Sequence, residues 1–233
     1  LAVSALLASC SESELWQNPQ TEARDGYIML NFKTEIPAMQ EVVTRAVDPD
    51  GGGVQDMTLF CFDSYGLFIS TVKAGVTVQK PGPGEMEGTF KAEVPENTRT
   101  IHFLANQNMD EFKEDSFRNK SESEVMAVLE GSSGRMIYWG RFACDAGNDS
   151  NIAEQMATSG NSVKLIRNHA RISVDNPDNN GHIVITGFAV CNTNAFGTVA
   201  PHHPKKGFDF TWPSSDDPFV TLPVNDAKMS DIT

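Results

Sequence analysis

Chemistry in this chain would have to come from its histidines, its cysteines or a loop rich in carboxylates and amides. Asn176-Pro-Asp-Asn-Asn-Gly181 sets oxygen ligands at Asn176, Asp178 and Asn180, with glycine sixth, which is how a calcium-binding EF-hand loop opens. The twelfth position should be a bidentate Glu and is Gly187, so the stretch reads as a β-turn. His202 and His203 are adjacent, and an extended chain would point them to opposite sides. His102, His169 and His182 have no carboxylate or histidine at ligand spacing. Cys61, Cys144 and Cys191 lie far apart, unlike the paired cysteines of a zinc site. No G-x-S-x-G, P-loop lysine or H-E-x-x-H occurs. The expectation is no catalytic residue, no metal and no cofactor, hence not an enzyme. Trp16, Trp139 and Trp212 could stack on sugars, which leaves a surface glycan-binding protein as an alternative.

One cysteine is placed for a different reaction. Leu1-Ala-Val-Ser-Ala-Leu-Leu-Ala-Ser-Cys10 is apolar and small, like the tail of a secretory signal, and Ser11-Glu-Ser-Glu14 follows at once. Leu7-Ala8-Ser9-Cys10 resembles the lipobox of bacterial lipoproteins. That resemblance implies that small residues let the signal peptidase bind an extended backbone, and that the Cys10 thiol takes the lipid. The acidic residues after it resemble a signal for export to the outer cell face. Of the other three cysteines, Cys61 and Cys191 sit in apolar runs and read as small core hydrophobes.

The chain has 233 residues, with 18 Lys and Arg against 31 Asp and Glu, a formal net charge of −13. Neutralising phosphates needs a basic surplus, so nucleic acid is excluded as a partner and docking on anionic lipid is disfavoured. Lys205-Lys206 is too small a basic patch to change this. At 39% hydrophobic and 21% charged the composition suits a folded globular protein. There is no run of ~20 apolar residues to make a spanning helix.

The elements that would position these residues are mostly strands. After a polar tether, residues 27–36 alternate: Ile28, Leu30 and Phe32 share one face and Tyr27, Met29 and Asn31 the other, up to Pro37. Residues 37–53 read as a linker, with Arg45-Ala46 ahead of Gly51-Gly-Gly53. Met57–Phe62, the turn Asp63-Ser-Tyr-Gly66, and Leu67–Val72 read as a hairpin. Residues 75–84 read as loop, and 88–94, 99–105 and 135–142 as strands. Ser121-x-x-Glu124 fits a capping box opening one helix, with Val125, Met126, Val128 and Leu129 as its apolar stripe. Residues 162–174 and 182–190 read as a long hairpin. The prolines at 201, 204, 213, 218 and 223 mark an irregular end. Short strands with a single helical insertion predict an all-β fold, a β-sandwich.

Four segments together resemble the Bacteroidales fimbrillins, or type V pilins. They are the lipobox ending at Cys10; Thr44-Arg45-Ala46 about 35 residues on; Val54–Gly66; and the runs Val94–Asn106, Met136–Gly140 and Leu165–Ile172. The resemblance implies a transthyretin-like Greek-key β-sandwich. Residues 1–10 would be a signal remnant, 11–53 a tether, first strand and cleavable linker, and 54–190 the first sandwich. Residues 191–233 would be a linker and the opening of a second sandwich. It further implies lipid anchoring at the outer membrane and cleavage between Arg45 and Ala46. Loss of the first strand, with Ile28, Leu30 and Phe32, would then let another fimbrial subunit's strand fill the groove. The expected function is a structural subunit of a cell-surface fimbria serving adhesion to a host or bacterial surface receptor. A fimbrial anchor or tip accessory lipoprotein is the nearer alternative.

Overall fold

The computed structural model describes residues 23–35, 54–81, 86–132 and 136–168, and then 186–187, 189, 196–203, 206–208 and 210. Cys10, Arg45, Ala46, Trp16, Trp212, Cys191 and the 175–181 turn lie outside the described residues.

Period-two alternation gives each strand two faces, and two sheets bury the apolar ones against each other. The first sheet contains β1 (Tyr27–Glu35), β4 (Gly75–Pro81), β5 (Met86–Pro95) and β9 (Ser162–Lys164), in the order β4-β5-β1-β9. The second contains β2 (Met57–Phe62), β3 (Phe68–Lys73), β6 (Thr100–Ala105), β8 (Tyr138–Ala143) and β10 (Ile166–Arg167), in the order β10-β8-β6-β2-β3. All described pairings are antiparallel except β1 with β9. The fold is all-β, a sandwich of these two sheets.

Between the sheets lie Ile28, Leu30 and Phe32 of β1, Phe90, Ala92 and Val94 of β5, Leu59 and Cys61 of β2, and Ile101 and Phe103 of β6. The second sheet is covered on its outer face too, which is why every residue of β2 and β6 is buried. There Phe60, Phe62, Leu104 and Trp139 pack against Val125 and Met126 of helix α1 (Glu122–Val128), against Leu129, which follows it, and against Phe117. Val199 and Ala200 join this second cluster, beside the short pair β7 (Glu130–Ser132) and β11 (Phe196–Thr198). A two-residue ribbon, β12 (His202–His203) with β13 (Gly207–Phe208), follows.

Ser121 opens α1 with both bonds of a capping box: its hydroxyl accepts from the Glu124 amide, and the Glu124 carboxylate accepts from the Ser121 amide at 2.9 Å. The β2–β3 turn closes as its residues dictate. Asp63 Oδ1 accepts from the Tyr65 and Leu67 amides at 2.8 and 3.0 Å, and Gly66 adopts φ +72, where a side chain would be strained.

Three expectations are corrected. The helical insertion is not single: α2 (Ile152–Thr158) buries Ile152, Ala153 and Met156 in the inter-sheet core, capped by Asn151 and Glu154. Residues 75–81 are a strand, because β5 pairs with it from Gly75 to Pro81, with one register shift between Val76 and Val78, despite its glycine and proline. The run from Ser162 is not one strand of a hairpin through residue 168. It pairs with β1 over Ser162–Lys164, crosses at the buried Leu165, and pairs with β8 over Ile166–Arg167, tying the two sheets together.

Candidate functional site

β1 is an interior strand with a partner on each side. Along β5 the register is Ile28↔Val94, Leu30↔Ala92, Phe32↔Phe90 and Thr34↔Gly88; along β9 it is Lys33↔Ser162, Thr34↔Val163 and Glu35↔Lys164. Ile28, Leu30 and Phe32 are buried, at 6%, 1% and 0% exposure, and Thr34 is buried as the fourth residue of that face. Phe32 stacks on Phe90 at 5.5 Å between centroids and meets the edge of Phe103 on the opposite sheet at 5.0 Å. Burying each of these three large side chains stabilises the fold by ~1.5–3 kcal/mol. Met29, on the other face, is also buried.

Both ends of β1 are fastened. At its start the Arg24 side chain donates to Glu93 at 2.7 Å and lies over the Tyr27 ring at 4.3 Å. At its end the Glu35 carbonyl accepts from the Leu165 amide at 2.7 Å, and the Ser162 hydroxyl donates to the Glu35 carboxylate at 2.6 Å. One polar atom inside is left over: Thr34 Oγ1 is buried with no hydrogen-bond partner among the described residues.

A second cluster was not legible in the sequence. His102 on β6, Glu122 on α1, and Trp139 and Arg141 on β8 meet on the outer face of the second sheet. Trp139 Nε1 donates to His102 Nδ1 at 3.1 Å, which leaves the proton on Nε2 to be donated to Glu122 Oε2 at 2.7 Å. Arg141 grips the same carboxylate with Nε at 2.7 Å and Nη2 at 3.2 Å. Burial disfavours charging His102 and holds its pKa below the ordinary value. Burial also opposes ionisation of Glu122, but the bonds from His102 and Arg141 and their charges win, taking its pKa down to about 2. No described nucleophile bonds to this histidine, and what the cluster does is fasten α1 to β6 and β8. Trp139 is 1% exposed, so its indole face is not open to a sugar.

Among the described residues no three His, Cys, Asp or Glu side chains group as a metal site. Cys61 and Cys144 are free thiols, and burial pushes Cys61 up to about 12, the behaviour of a core residue. Among the described residues no helix is long and apolar enough to cross a membrane.

No protein family model and no curated protein matches this chain. Two solved structures are similar to it. One is a fimbrial assembly protein from Parabacteroides distasonis, at 10% identity and TM-score 0.39, over 87% of this chain and 80% of that one. The other is a candidate cell adhesion protein from Bacteroides eggerthii, at 9% identity and TM-score 0.29, over 60% of this chain and 39% of that one.

Proposed function

We propose that this chain is a structural subunit of a cell-surface fimbria that polymerises by exchange of its first strand. It is not an enzyme in this reading. It reaches the outer membrane as a precursor lipidated at Cys10 and is released by a cut between Arg45 and Ala46. Its partners are other fimbrial subunits and, through the finished fibre, a surface receptor.

The observation that carries this reading is the place of β1. It fills the gap between β5 and β9, yet it is joined to the body only through the linker that holds Arg45. While covalently joined, β1 has a high effective concentration at its own groove; a cut after Arg45 removes that advantage. Its departure would bare two rows of backbone N–H and C=O groups, on β5 and β9, over an apolar floor. An extended segment from a neighbour can supply the missing hydrogen bonds and side chains, and a head-to-tail contact of that kind extends into a filament.

The test is expression of wild type and Arg45→Ala in a fimbriated host cell. Wild type should yield SDS-resistant ladders on the surface, and Arg45→Ala a membrane-bound monomer of full length. Fibres of normal length from Arg45→Ala would refute cleavage-triggered assembly.

A further inference from the structure

Resting on the strand-exchange reading, we infer that Thr34 is where the resident strand gives way. The groove accordingly selects an incoming strand with an aliphatic residue at Thr34's place. The inward face of β1 has four positions, and three hold Ile28, Leu30 and Phe32, each opposite an apolar residue of β5. The fourth breaks the series in two ways. On the β5 side Thr34 faces Gly88, which has no side chain to pair with it, so its one cross-strand side-chain neighbour among the described residues is Val163 of β9. Its hydroxyl is also fully buried, without a hydrogen-bond partner among the described residues. A buried hydroxyl that loses water and gains no partner weakens the strand at that point, whereas a methyl group of the same shape would not.

The position within β1 matters as much as the chemistry. Thr34 is the last inward residue among the described residues of β1, at the end of the strand that leads to Arg45. A cut after Arg45 frees the C-terminal end of β1 from the body, so the end released first is also the end that carries the unpaired hydroxyl. Displacement would then run from Thr34 back through Phe32 to Ile28. An incoming strand that placed Val or Ile opposite Gly88 would keep every backbone bond and remove the orphaned hydroxyl. It therefore outcompetes β1 for a groove that β1 itself has shaped. The ligand class is an extended peptide with aliphatic or aromatic residues at four alternate positions.

The experiment uses the full chain cut after Arg45 and two fluorescein-labelled peptides, Tyr27–Glu35 and the same peptide carrying Thr34→Val. Anisotropy should show the Thr34→Val peptide entering the groove roughly 5- to 150-fold more tightly. Equal affinity for the two would overturn the role of Thr34 and leave strand exchange standing. If neither peptide entered, strand exchange itself would fall. A second measurement is independent of exchange. In the uncut chain, Thr34→Val should slow hydrogen exchange at the Lys33 amide, which bonds to the Asn161 carbonyl at 2.7 Å. An unchanged rate there would also overturn the inference.

Discussion

Glu122 Oε2 stands 2.7 Å from His102 Nε2, so a carboxylate at the start of α1 meets an imidazole with no solvent exposure. The contact joins residues 20 apart in the chain. It also makes the fold sensitive to acid. Both groups have pKa values below their ordinary ones, 6.5 for His102 and 4.5 for Glu122. The unfolded chain therefore binds more protons, and the stabilisation, complete above pH ~6.5, is lost as pH falls through each folded pKa. Glu122 loses its part between about 4.5 and about 2. Denaturant unfolding should show stability level near neutrality and falling below pH 6. Because the carboxylate keeps some contact with solvent, its share is about 1–2 kcal/mol. Glu122→Gln should be less stable at pH 7 and have a shallower acid limb; an unaltered limb would contradict the assignment.

Phe32→Ala should cost about 3–5 kcal/mol, because the ring touches both Phe90 and Phe103 and its loss leaves a cavity between the sheets. Urea unfolding measures this. As a contrast, Tyr65→Ser at the 86%-exposed hairpin tip should stay within about 0.5 kcal/mol.

Gly140, in β8, lies against Lys164 and Leu165, where the chain crosses from one sheet to the other. A Cβ there would stand 2.6 Å from the Lys164 carbonyl oxygen and 2.8 Å from Leu165 Cδ2. Gly140→Ala should therefore lower thermal stability by about 1–3 kcal/mol, through displacement of backbone as well as side chain. A melting temperature equal to wild type would show that the crossing can move aside at no cost.

Cys10→Ser should abolish incorporation of an alkyne-tagged fatty acid that marks the wild type, and should leave the protein in the soluble fraction. Equal labelling of both forms would remove Cys10 as the anchor.

How legible all this was depended on where the stabilising contacts come from. β1, β2 and β6 have their apolar residues written at period two or in continuous runs, so sequence pattern and burial agree. The capping box marks α1 because Ser121 and Glu124 bond to their own helix. Asn151 and Glu154 form the same box ahead of α2, but a seven-residue helix is too short to stand alone. Its stability comes from Ile152 and Met156 entering the core, which no local window displays. β4 reads as loop for a related reason, since only pairing with β5 holds it extended. The His102–Glu122–Arg141 cluster has no local signature, being assembled by α1 folding over the outer face of β6 and β8.

The eight-residue register between β1 and β5 also has a mechanical meaning. A strand held antiparallel along that length and pulled along its own axis is loaded in shear: its hydrogen bonds share the force and must yield nearly together. Peeling the same strand from one end breaks them one after another at far lower force. A strand held with this geometry thus resists tension along its own axis while yielding far more readily to peeling from one end.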